Sequence, residues 1–198
     1  GADNVYINGS RNKFMDSYLD SMISDTKVGT GLPPCTAVDK SEDTDLNGKS
    51  LVTSRLRDTD VETLSIKDNK NGTVTLTIKP KSVQMSSPGA DAQGRFFSTL
   101  GPMYDTFDQM LKQNGGKWTT GNAKKNLHMN YTGGTGTITI NTSSGKITKA
   151  TYNMKVNVDV QHVTISGMKN QRVQLRVIVK DTFPMSQELF DSSNLERL

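Results

Sequence analysis

The segment "DVETLSIKDNKNGTVTLTIKPK" (Asp60–Lys81) decides how the chain is read. Val74, Leu76 and Ile78 alternate with threonines, so one side of this stretch is apolar and the other polar. That period of two is the signature of a half-buried strand. Asn71-Gly72 supplies a hairpin turn, with "DVETLSI" as the opposing strand. A second stretch, "DVQHVTISGMKNQRVQLRVIVK" (Asp159–Lys180), aligns with the first without a gap. Val61 matches Val160, Leu64 matches Val163, and Lys70-Asn71 matches Lys169-Asn170. Both copies break their alternation at the same place, because Val61 to Leu64 and Val160 to Val163 are three apart. A bulge at that point would explain the slip.

Before the second copy, Tyr152, Met154, Val156, Val158 and Val160 alternate without interruption, which predicts one long strand from Ile147 onward. Strands of that length bend or coil. Ile138 and Ile140 mark another strand after "TGGTG", whose glycines read as a flexible turn or bulge. The spacing of Phe14, Tyr18 and Met22 predicts a helix over residues 11–24, capped by Asn8 or Ser10. A second helix is expected at about 102–114, started by Pro102, faced by Met103, Phe107 and Met110, and ended at Asn114-Gly115. Residues 25–50 read as a long loop, and Leu51–Arg57 as a strand. The expected fold is therefore α+β. A long curved antiparallel sheet carries helices on one face, in a single domain of residues 1–198 with an internal repeat over 11–81 and 95–181.

Composition narrows function less than fold. The chain has 198 residues, 33% hydrophobic and 6% aromatic, and no apolar run long enough to span a membrane. A single cysteine, Cys35 in "LPPC", leaves no internal disulfide. No signal peptide is visible, and the opening "GADNVY" is compatible with a removed secretion or lipoprotein leader. Charge is unevenly spread: residues 112–180 contain eleven bases and one acid, Asp159. Lys117, Lys124, Lys125, Lys149, Lys155, Arg172, Arg176 and Lys180 form the candidate polyanion-binding set, several of them out of phase with the apolar strand residues.

The motifs for other chemistry are incomplete. Gly48-Lys49-Ser50 ends like a phosphate loop, but Asp43 stands where its first glycine belongs. Asp43, Asp45 and Asn47 occupy the first alternate positions of a calcium loop, yet Ser54 replaces its final bidentate Glu, so any binding there is weak. His128 and His162 have no metal-ligand spacing, and no nucleophile elbow is present. No cofactor is implied. The basic segment has few aromatics to stack on bases, so no specific nucleic acid is expected as a partner.

At "SGKITKATYNMKVNVDV", together with "DNKNGTVTLTIKPK", the chain resembles secreted or lipid-anchored proteins of Gram-positive gut bacteria that carry long-stranded domains of unknown function. The likeness covers the strand regions, about half the chain, and transfers no functional residues. In layout it is also similar to lipoprotein carriers of the LolA type. The resemblance implies an extracellular or cell-surface place. The first functional expectation is a non-enzymatic binding or structural domain meeting an anionic wall polymer or glycan through a basic sheet face. The alternative is a carrier of an apolar ligand held by Met103, Met110, Tyr152, Met154 and Val156, and an enzyme comes third.

Overall fold

The computed structural model describes residues 2–13, 56–97, 99 and 101–183. The calcium-loop residues Asp43, Asp45 and Asn47, together with Cys35, most of the first helix and the chain after residue 183, lie outside the described residues.

The strands are β1 (Ala2–Ile7), β2 (Ser10–Arg11), β3 (Val61–Asp68), β4 (Thr73–Pro80), β5 (Val83–Gln84), β6 (Lys117–Trp118), β7 (Leu127–Tyr131), β8 (Thr135–Asn141), β9 (Ile147–Ile165) and β10 (Met168–Phe183). Among the described residues they are interrupted by the helices α1 (Ala92–Phe96), α2 (Tyr104–Gln113) and α3 (Ala123–Asn126), and a 3-10 turn, Asp58–Asp60, leads into β3. All ten described strands belong to one antiparallel sheet, an α+β architecture as expected. Its main path runs β2-β1-β10-β9-β8-β4-β3. β9 is the spine, 19 residues long. One of its sides pairs with β10; the other is shared in turn by β8, β7 and β6.

Both phase slips are bulges. The β3–β4 register shifts between Val61 and Thr63. In the β9–β10 pair, Val160 faces Val173 while Val163 faces Gln171, so one extra residue is fitted at Gln161-His162, where His162 has φ 53. The turns do not coincide. The first hairpin turns at Asn69–Thr73, but the second turns at Ser166-Gly167, with φ 49 and 79. Lys169-Asn170, aligned with the first turn, lies within β10. The strand order differs as well: β9 is central, whereas its aligned counterpart β3 is at the sheet edge. The gapless match therefore carries over to the bulge and not to the hairpin as a whole.

Other expectations change. Asn8 is no helix cap: Asn8-Gly9, with φ 48 and 81, is the turn between β1 and β2, and Arg11 pairs with Tyr6. A separate short helix, α1, precedes the one expected at about 102–114, and Leu56-Arg57 is not strand. Asn114-Gly115 does close α2, with Gly115 at φ 70.

The core lies on the helical side of the sheet. Tyr152, Met154 and Val156 of β9 are buried there with Ile138, Tyr131, Leu127, Phe96 and Phe97. Tyr104, Phe107 and Leu111 of α2 pack against this cluster, with Phe107 stacked on Trp118 at 5.8 Å. Phe96 meets Phe97 and Tyr152 edge to face, at 4.9 and 5.5 Å. Glycine makes room for both phenyl rings. A Cβ on Gly136 would lie 2.4 Å from the Phe96 ring, and one on Gly134 would lie 2.9 Å from that of Phe97. "TGGTG" is thus a seat for two aromatic rings. Gly136→Ala is expected to destabilise the protein by about 2 kcal/mol, since an added methyl must displace a packed ring. Urea unfolding of the variant against the parent measures this.

Candidate functional site

Because β-strand side chains alternate, the residues out of phase with the core share the opposite face of the sheet. The register assembles them into rows. Ser65, Thr77, Thr137, Thr151 and Thr182 face one another in sequence across β3, β4, β8, β9 and β10. The neighbouring row is Lys67, Thr75, Thr139 and Lys149. Within it, the hydroxyls of Thr75 and Thr139 are 3.3 Å apart. Threonine suits such a face: its branched Cβ favours strand geometry and its hydroxyl keeps the surface hydrated.

The cationic part lies on β9 and β10. Lys155 stands opposite Ile178, Asn153 opposite Lys180, and Asn157 opposite Arg176. Lys155 is therefore a diagonal neighbour of both Arg176 and Lys180, at about 7–8 Å between Cα positions. Arg176 donates from Nε to Asn157 Oδ1 at 3.2 Å. Asn157 in turn faces Asn130 of β7. Lys155 and Lys180 have no ion pair among the described side chains, while Arg176 stands opposite Asp3 of β1 in the sheet.

The eight basic candidates separate. Lys149, Lys155, Arg176 and Lys180 share the polar face, and Lys67, which alternation in β3 could have revealed, joins them. Lys117 on β6 and Lys124 and Lys125 on α3 are exposed beside the Val160–Thr164 end of β9, well along the strand from Lys155. Arg172 is already engaged: its Nε and terminal nitrogen donate to the two Asp159 carboxylate oxygens, each at 2.8 Å. Burial pushes the Asp159 carboxyl up, but hydrogen bonds from Arg172 and Gln161 outweigh it and hold the group below its ordinary range. The one acid of the basic segment thus neutralises one of its arginines.

The apolar-carrier residues also separate. Tyr152, Met154 and Val156 are packed core side chains, and Met103 is half-buried. Met110 is 39% exposed, because α2 turns Tyr104, Phe107 and Leu111 inward instead. The 3.6-residue period fits either stripe, and the sheet selected the aromatic one.

Sequence reasoning missed the buried ion pair of Asp60 and Arg95. Arg95 Nε donates to Asp60 Oδ2 at 2.7 Å and a terminal nitrogen donates to Oδ1 at 2.5 Å. The other terminal nitrogen donates to the Ala90 carbonyl at 2.7 Å. The Arg57 N–H also donates to Oδ2. The Arg95 hydrogen bond holds the Asp60 carboxyl below its ordinary range, against burial. A carboxylate so stabilised is unsuited to proton exchange near neutral pH. His162, exposed at the β9 bulge, has Nδ1 2.7 Å from Asn170 Oδ1, and His128 is exposed on β7. Among the described residues, no three His, Cys, Asp or Glu side chains form a metal-holding group, and no helix is long and apolar enough to cross a membrane. No family model, curated protein or solved structure matches the chain.

Asp60→Asn should cost about 3 kcal/mol at neutral pH, since it strips a buried guanidinium of its counter-charge. The pH dependence has a definite sign. The folded pKa of Asp60 is below the ordinary 3.8, so its contribution is complete above that value and lost as pH falls through the lowered one. Denaturation of parent and variant between pH 2 and about 7 should therefore converge at the acid end.

Proposed function

We propose that this chain is a non-enzymatic binding domain that grips an anionic polymer or glycan through the polar face of its sheet. What supports this reading is the placing of Lys155 between Arg176 and Lys180, with neither lysine in an ion pair among the described side chains, beside rows of threonine and asparagine side chains. Cations of this kind meet phosphate or carboxylate groups along a chain, while hydroxyls and amides hydrogen-bond to sugar or polyol oxygens. Lys149 and Lys67, at the ends of a threonine row, would extend the contact. An elongated face suits a polymer better than a compact ligand, because each exposed contact is weak and many act together. The likeness to secreted and lipid-anchored proteins supports a place outside the cell, where wall polymers supply such charge.

Poly(glycerol phosphate) is a suitable probe, measured by calorimetry or interferometry across a salt series. Binding should weaken as salt rises, since exposed charges are screened within about 10 Å at 0.1 M. Replacing Lys155, Arg176 and Lys180 together by Gln should lower affinity about tenfold, because each exposed ion pair with the polymer contributes about 0.5 kcal/mol. Replacing Lys117, Lys124 and Lys125 should change it little. Equal weakening by both triple variants would show attraction to net charge alone and reject the face as a site.

A further inference from the structure

Strand β3 ends the sheet, and its outer edge pairs with no described strand. Two backbone bonds set which of its residues point outward: Asn69 N–H donates to the Thr73 carbonyl at 3.0 Å, and Lys81 N–H to that of Asp60 at 2.8 Å. With the bulge between Val61 and Thr63, antiparallel alternation makes Thr63, Ser65 and Lys67 the residues bonded to β4. Leu64 and Ile66 therefore direct their N–H and C=O groups away from the sheet. Their side chains lie on the core side, opposite Ile78 and Leu76, but are 53% and 66% exposed. An edge strand with free backbone groups and exposed apolar side chains is a template for another strand.

We propose that this edge pairs with the β3 edge of a second copy, antiparallel and about a two-fold axis at Ser65. The strand is complementary to itself in that register alone. Leu64 then faces Ile66 of the second copy, and the reverse, so four outward-pointing N–H groups meet four outward-pointing carbonyls around the axis. The same pairs bring two leucines and two isoleucines together on the core side. Thr63 faces Lys67, so no like charges oppose within the paired segment. Glu62 and Asp68 meet at its ends, where each already has its own lysine: Lys79 at 2.6 Å and Lys70 at 3.4 Å. A register one pair away in either direction sets Leu64 against Asp68 or Ile66 against Glu62. The contact is one strand deep, smaller than the roughly 800 Å² per partner of a standard stable complex. Association is therefore weak and concentration-dependent.

The axis gives a register-specific test. Ser65 would face its own copy in a non-hydrogen-bonded pair, with Cα atoms about 4.5 Å apart, within disulfide range. In a Cys35→Ser background, Ser65→Cys should oxidise to a covalent dimer, whereas Thr63→Cys, which faces Lys67, should not. Sedimentation velocity over a concentration series should show reversible dimer formation by the parent chain. Ile66→Pro removes an N–H that β4 does not use, so it should abolish association and leave the circular dichroism spectrum intact. A parent that stays monomeric at millimolar concentration, or equal cross-linking from both cysteine variants, overturns the proposal. In the first case the edge is free for an unrelated strand or for another segment of this chain.

Discussion

The Asp60–Arg95 ion pair is the constraint from which the core is organised. It ties the start of β3 to α1, a helix of only five residues that has too few turns to hold itself. Phe96 and Phe97 follow Arg95 directly, so fixing the guanidinium fixes the two rings that sit over Gly134 and Gly136. Asp91 secures the other end by accepting from Gly94 N–H, Ser87 N–H and the Ser86 hydroxyl. A buried pair of this kind adds little net stability compared with an apolar substitute. Its value here is positional, since the charges cannot be left unmatched and only one placement of α1 matches them.

Among the described residues the helical layer covers only part of the sheet, and the character of the described surface follows from that. One face is filled by α1, α2 and the residues around them. The other keeps threonine, asparagine and lysine, because an antiparallel sheet with one solvated face alternates apolar and polar residues. Toward β3 no described helix follows, and Leu64 and Ile66 keep core-side phase while largely exposed. The polar face and the exposed edge thus both go with a described helical layer narrower than the sheet.

Alternation made much of this legible in the sequence. The period of two located β4, β8, β9 and β10, the phase of Tyr152 and Met154, and the face shared by Lys149, Lys155 and Arg176. The phase slip at Gln161-His162 was visible because a bulge leaves three-residue spacing. Contacts without periodicity were hidden. Asp60 and Arg95 are 35 positions apart and leave no pattern. Asn8-Gly9 carries the same turn signal as Asn71-Gly72, but strand β2 beyond it has two residues, too few to show alternation. Arg172 looked like a free cation since sequence shows charge and not its nearest counter-charge. The choice of Phe107 and Leu111 over Met110 depended on which way the sheet met α2.

The position of the cation cluster follows from the topology of β9. Its one side is occupied along most of its length by β10, but its other side passes from β8, which ends its pairing at Asn153, to β7, which begins at Val156. Lys155 falls in that seam. Its carbonyl accepts from Thr132 N–H at 3.2 Å, and Gly133-Gly134 turn the chain from β7 into β8 beside it. A side chain at a seam has fewer cross-strand neighbours on one side, so Lys155 can reach out over the turn while Arg176 and Lys180 flank it from β10. The same two glycines that let β7 and β8 share one edge of β9, and seat Phe97 on the core side, thus leave room for a lysine on the other. Core packing and the charged face are coupled through a single turn. A substitution there that displaced the turn would disturb both faces of the sheet at once.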